Sequence, residues 1–231
     1  MKVLRRKLPS MLVVFSLLVS IVAIFAVPPQ SVRADGTPED AIPVTSCNFR
    51  TDVEGGYYYL TADIGCSEDS HGMVVGADGI TIDGNGFKIT GDATSCEFVT
   101  ETEPQYGCCG ILNDGYNDVT IRNIEIEHFC TGIALHGTIA NPIKNNTVDN
   151  CKIHDNGMDV GVSATHGIHL SYVKDSKAVN NEVYHQQGTG SGCGDGGNGI
   201  FMYAGGDNVI DNNKVYDNTK AGIFTKIKPK N

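Results

Sequence analysis

One phrase returns along this chain of 231 residues: GILND (110–114), GIALH (132–136), GIHLS (167–171), GIFMY (199–203) and GIFTK (222–226). A second phrase alternates with it: IRNIEI (121–126), VDNCKI (148–153), AVNNEV (178–183) and IDNNKV (210–215). The stretch from Gly phrase to hexapeptide is nearly constant in length, whereas the stretch from hexapeptide to the next Gly phrase varies widely. A constant core with one variable corner is how a coil of stacked repeats reads.

Within the phrases apolar and polar residues alternate. Ile121, Ile124 and Ile126 align with Val148, Cys151 and Ile153, then with Ala178, Asn181 and Val183, then with Ile210, Asn213 and Val215. Arg122, Asp149 and Asp211 face the other way. Period-two alternation in short runs means strands, and no stretch after residue 35 carries a helical stripe. Strands that repeat in one direction must stack parallel on the neighbouring repeats. The third hexapeptide position is always Asn (Asn123, Asn150, Asn180, Asn212), which tolerates a bent backbone and can ladder amide to amide up the stack.

With these phrases, and with ADGITIDGNGFKITG (77–91) as an opening rung, residues 57–227 resemble the right-handed parallel β-helix proteins of the pectate-lyase-like superfamily. The nearest likeness is the subgroup of carbohydrate-binding and sugar-hydrolysis β-helix repeats, which includes periplasmic copper-maturation proteins. The expected fold is all-β, a single-stranded right-handed parallel β-helix of about five to six rungs with insertions at one corner. A leucine-rich repeat is the structural rival, but its Leu-x-x-Leu-x-Leu spacing is absent.

The ends divide the chain further. Lys2, Arg5, Arg6 and Lys7 precede an apolar run over 11–27, and Val32-Arg33-Ala34 offers a cleavage point, so 1–34 reads as a signal peptide. Residues 35–70 read as an N-terminal cap with the first strands, and 71–231 as the β-helix. The final phrase is followed only by IKPKN, so the last rung is expected to present open strand edges. That end reads as the cut end of a longer helix, or as a contact surface. Without 1–34 the chain keeps 12 basic and 27 acidic side chains, a formal charge of −15. Such a surface repels nucleic acid and anionic lipid, and favours divalent cations. The expected location is secreted, periplasmic or cell-surface, with no stable membrane span after cleavage.

All eight cysteines lie beyond the leader, and an even number in an oxidising compartment favours disulfides. Cys108 and Cys130 each precede a phrase Gly by two residues and should stack on neighbouring rungs at disulfide distance. The alternative places Cys109 on the rung and pairs Cys108 with Cys96. Cys47–Cys66 would close the N-terminal cap.

The insertions gather at one corner, where loops on a rigid scaffold usually carry function. Two residues beyond each hexapeptide stands a column of His128, Asp155, His185 and Asp217. Asp155 and Asp217 are the acid/base candidates, with His185 between them to orient or relay a proton. The competing reading makes these simple turn residues. His169, Phe201 and Phe224, with Tyr203 beside them, should project outward and could stack on sugar rings. Loops folded over that stripe would instead make it a second small core. His128, His185, Asp155 and His169 offer donors for a transition metal, although no spacing fixes a geometry and no metal ligand is assigned. Calcium on loop carboxylates is the cofactor left open.

No catalytic set of a named family carries over. THGIH (165–169) lacks the adjacent aspartates of a polygalacturonase-like site. The function expected is binding or processing of polysaccharide or cell-surface glycan. A non-catalytic adhesion scaffold and periplasmic copper handling are the alternatives.

Overall fold

The alternating phrases become short strands that turn three corners per coil. The computed structural model describes residues 38–67, 70–93, 108–157, 165–188 and 196–226, so the signal peptide expected over 1–34, Cys96 and Cys193 lie outside the described residues. One sheet stacks Ile42–Val44, Tyr57–Leu60, Thr81–Asp83, Thr120–Arg122, Thr147–Asp149, Lys177–Val179 and Val209–Asp211. A second stacks Ile64–Gly65, Lys88–Thr90, Glu125–Glu127, Lys152–His154, Glu182–Tyr184 and Lys214–Tyr216. A third stacks Phe49–Thr51, Met73–Val75, Cys109–Asp114, Thr131–His136, His166–Ser171, Asn198–Tyr203 and Ile223–Lys226. Every pairing is parallel, and no helix occurs among the described residues: this is a parallel β-helix. Two of its sheets hold seven strands each. The repeat phrases point to about five to six rungs because the coils over 42–65 carry no Gly-Ile phrase.

Register follows the apolar alternation. Ile82, Ile121, Val148 and Ala178 pair in sequence along the first sheet, and Ile89, Ile126, Ile153 and Val183 along the second. All are fully buried, each large aliphatic contributing about 1.5–3 kcal/mol. The phrase glycine is explained at Gly132 and Gly167. There an added Cβ would collide with Ile153 or Val183 of the second sheet and with the carbonyl of the glycine one rung on.

Each corner is made by a residue in the left-handed region, where Asn and Asp are the least disfavoured side chains. Between first and second sheets these are Asn123, Asn150, Asn180 and Asn212, with φ of 51–58°. The amide ladder forms from Asn150 Nδ2 to Asn123 Oδ1 (2.8 Å) and from Asn212 Nδ2 to Asn180 Oδ1 (2.6 Å). It breaks between them, where Asn180 Nδ2 donates to Asp149 Oδ1 instead (2.7 Å). The next residue points inward and makes a second ladder, with Cys151 N–H donating to Asn181 Oδ1 and Asn181 N–H to Asn213 Oδ1, both at 2.9 Å.

Cys47 and Cys66 are joined by the expected disulfide, their Cα atoms 5.5 Å apart. The Cys108–Cys130 bond is not made. The two sulfurs stack on neighbouring rungs, 3.3 Å apart, without being joined to each other.

Candidate functional site

The outward side of the second sheet presents two columns. Lys88, Glu125, Lys152, Glu182 and Lys214 alternate in charge along one, and Thr90, Glu127, His154, Tyr184 and Tyr216 run along the other. With rungs about 4.8 Å apart, each charge meets its opposite on the next rung. Lys214 Nζ lies 2.7 Å from Glu182, and Lys152 Nζ 3.4 Å from Glu125. Lys88 reaches across to Glu127 at 2.8 Å. In the second column the imidazole of His154 stacks on Tyr184 (centroids 4.8 Å apart), and Tyr184 on Tyr216 (5.0 Å).

Where the columns meet at His154, potential metal donors converge. Single ligand atoms of Glu125, Glu127 and His154 all lie within 4.8 Å of one another. His154 Nε2 is 3.0 Å from Glu125 Oε1 and 3.6 Å from Glu127 Oε2, while Nδ1 is 2.7 Å from Asp155 Oδ2. The histidine side chain is only 7% exposed, so its orientation is set by these partners and by Tyr184. With Nδ1 donating to Asp155, Nε2 faces the glutamates as the position that either donates a second bond or holds a cation in the proton's place. Burial pushes the Glu127 carboxyl up, but hydrogen bonds from Lys88 and Thr90 outweigh it and hold the group below its usual value. It stays an anion, as a metal ligand must.

One nitrogen with carboxylate oxygens suits divalent copper, zinc or nickel better than a soft monovalent ion. Thiolates play no part here. Burial pushes the Cys151 thiol up to about 12 and the Cys109 thiol well above its ordinary value, and a protonated sulfur is a poor ligand.

The expected catalytic column exists as a column of corners. His128, Asp155, His185 and Asp217 all have φ of 49–60°. Asp155 joins His154 tightly and His185 more loosely, with His185 Nδ1 3.5 Å from Asp155 Oδ1. Among the described residues no hydrogen bond or ion pair links Asp217 to either. Gly91, Asp92, Ala93, His128, Asp155, Gly157 and Gln187 line a cleft of about 370 Å³ at this corner.

The aromatic stripe differs from expectation. His169, Phe201 and Phe224 do follow one another on neighbouring strands. However, His169 and Phe201 are only 6% and 5% exposed, packed with His166 at centroid distances of 4.5–5.0 Å. Only Phe224, stacked on Phe201 at 5.7 Å, and Tyr203, beside Tyr172 and Lys226, retain partial exposure. The stripe is largely a second apolar patch outside the coil and not an open platform.

Glu125, Glu127 and His154 are absent from the sequence-derived site. The signal lay in the hexapeptides: Glu125 takes the outward fifth position of IRNIEI, and Glu127 and His154 immediately follow two of those phrases. Reading the outward positions rung against rung would have brought them together.

A family model described as periplasmic copper-binding protein (NosD) matches residues 41–231, and the chain belongs to the NosD family. That family is periplasmic, in keeping with the exported location read from the sequence. No curated protein and no solved structure matches the chain.

Proposed function

We propose that this NosD-family chain binds a divalent transition metal, copper being the ion its family's description names, on the outer face of the second sheet. Glu125, Glu127 and His154 Nε2 are the ligands in this reading, and Asp155 orients the imidazole through Nδ1. The observation that carries it is the convergence of three donor atoms within 4.8 Å around a histidine whose far nitrogen is already held. A buried imidazole oriented by a carboxylate is a common second layer around protein-bound metals. Lys88 and Lys152 neutralise the glutamates and would be displaced from them by an incoming ion. In this reading the role is carriage or storage of the ion.

Titration of the purified full chain with Cu(II), followed by electron paramagnetic resonance, tests the assignment. One tight equivalent with a single imidazole nitrogen is expected, and it should be lost in the Glu125→Gln/Glu127→Gln variant. Undiminished binding with the same spectrum in that variant would remove the site.

The cleft at the insertion corner favours a second reading, in which the same exported scaffold binds polysaccharide or cell-surface glycan. Its lining combines His128, Asp155 and Gln187 with glycine backbone, a polar surface suited to hydroxyl groups. Glycan-array binding that falls in His128→Ala while copper binding persists would support it. Silence across the array would leave the metal role alone.

A further inference from the structure

Lys152 stands in register between two carboxylates of the charged column, Glu125 one rung before it and Glu182 one rung after. Its Nζ lies 3.4 Å from Glu125 Oε1, an atom that also meets His154 Nε2 at 3.0 Å. This is the loosest of the three lysine pairs on the face, against 2.8 Å for Lys88 with Glu127 and 2.7 Å for Lys214 with Glu182. Glu182 takes the Lys214 ammonium and the Tyr216 hydroxyl on a single oxygen, Oε1, at 2.7 and 2.9 Å. Those two bonds hold its carboxyl below the usual value, and among the described residues its Oε2 has no hydrogen bond or ion pair. An anionic oxygen with room for a partner thus stands one rung from a loosely held ammonium group.

We propose that Lys152 is a moving counter-charge, leaving Glu125 for Glu182 Oε2 when Glu125 is given over to a divalent ion. This role for Lys152 rests on the metal reading above and gives the displaced charge a place to go. An ammonium group left beside the ion would repel it, and one released into water would lose its ion pair. A carboxylate on the next rung, about 4.8 Å along the stack, removes the repulsion and restores the pair. The move needs only rotation about the bonds of a flexible four-carbon stem, in a side chain 42% exposed. Burial lowers the Lys152 pKa, but the charge of Glu125 and then Tyr184 outweigh it and hold the group above its ordinary value, so it travels as a cation. Metal affinity then depends on Glu182, which is not a ligand.

A double-mutant cycle in the full chain tests this, with Cu(II) affinity read by chelator competition. Glu182→Gln should lower the affinity about two- to fivefold, the range that an exposed ion pair supplies, and should have no effect once Lys152 is already Met. A carboxylate acting on the ion directly, through its field alone, would weaken binding equally in both backgrounds, and equal losses overturn the proposal. Carbodiimide cross-linking of the unaltered chain follows the lysine itself and depends on no variant folding. Peptide mapping should find Lys152 joined to Glu125 without copper and to Glu182 with it. Lys152 joined to Glu125 to the same extent in both states would also overturn the proposal. Copper binding that survives Glu125→Gln/Glu127→Gln undiminished would remove the metal site and the moving lysine together, an outcome distinct from a site that binds copper and shows no coupling to Glu182.

Discussion

His154 and Asp155 are neighbours in the chain, yet their side chains meet on the outside of the coil, with His154 Nδ1 2.7 Å from Asp155 Oδ2. In an extended strand consecutive side chains point to opposite faces. The left-handed turn at Asp155, with φ of 51°, cancels that alternation and folds the carboxylate back beside the imidazole. The same turn presents Asp155 to His185 on the next rung at 3.5 Å. One corner residue thus links the sheet face to the insertion corner.

Replacing Asp155 by Gly keeps the left-handed turn available while removing the carboxylate that orients His154. Copper affinity is expected to fall about 10–100-fold, the usual cost of losing the carboxylate behind a metal-binding histidine. Competition with a colorimetric chelator measures it. An unchanged affinity would mean that His154 is oriented by Tyr184 stacking alone, or that it is no ligand.

Lys88 makes the opposite prediction. Its ammonium group lies 2.8 Å from Glu127 and competes with any cation for that carboxylate. The pair is partly exposed and is therefore worth only about 0.2–1 kcal/mol. Lys88→Met should raise copper affinity by about fivefold at most, and the gain should shrink as salt is added. The same chelator competition, run at two ionic strengths, checks both parts.

The coil was legible because its constraints repeat. Gly132 must be small for the close approach of Ile153 and Gly167, and Asn150 must turn left-handed, and each rung imposes these demands again. The site was less legible because it depends on which residues the stacking superimposes. Glu125 and His154 are 29 positions apart and meet only once their rungs are aligned. The insertion corner brings Asp155 and His185 together, whereas Glu125, Glu127 and His154 converge one strand residue earlier, on the flat sheet. The aromatic residues His169 and Phe201 alternate as outward residues should, but outward from a coil is not the same as exposed to water. Period-two patterning tells which side of a strand a residue occupies and nothing about what lies over it. The Cys108–Cys130 expectation captured the stacking but not the bonding, because adjacency permits a disulfide without selecting among eight cysteines.

The two asparagine ladders should differ in strength. Asn181 is buried, its Oδ1 takes the Cys151 N–H at 2.9 Å, and its Nδ2 donates to the Val148 carbonyl at 3.0 Å. Asn181→Ala strands both backbone groups inside the coil and should cost about 2–4 kcal/mol. Asn180→Gly removes only the outer ladder's bonds from a solvent-facing amide at a turn that glycine tolerates, and should cost about 1 kcal/mol or less. Urea unfolding of the two variants decides. Equal losses would mean that the inner ladder contributes no more than a surface turn.

Acid should destabilise the protein through the buried patch around His166. Burial drives this imidazole down to about 3 from the ordinary 6.5, so the folded chain keeps it neutral where the unfolded chain would protonate it. His169 beside it is lowered too, by burial first and then by the positive charge of His166 and His136. Below pH 6.5 the unfolded state therefore binds more protons, and through His166 stability falls with pH down to about 3, by about 1.4 kcal/mol per unit. Between pH 7 and pH 5 the contribution of His166 amounts to about 2 kcal/mol. His166→Gln removes the titration while keeping a polar group opposite Asn198. Its own cost at pH 7 cancels when each protein is compared with itself at pH 5. Urea unfolding should show the wild-type chain losing about 2 kcal/mol more than the variant over that interval. Parallel losses in the two proteins would show that His166 becomes charged without unfolding the patch, and that the packing of His166, His169 and Phe201 admits a proton.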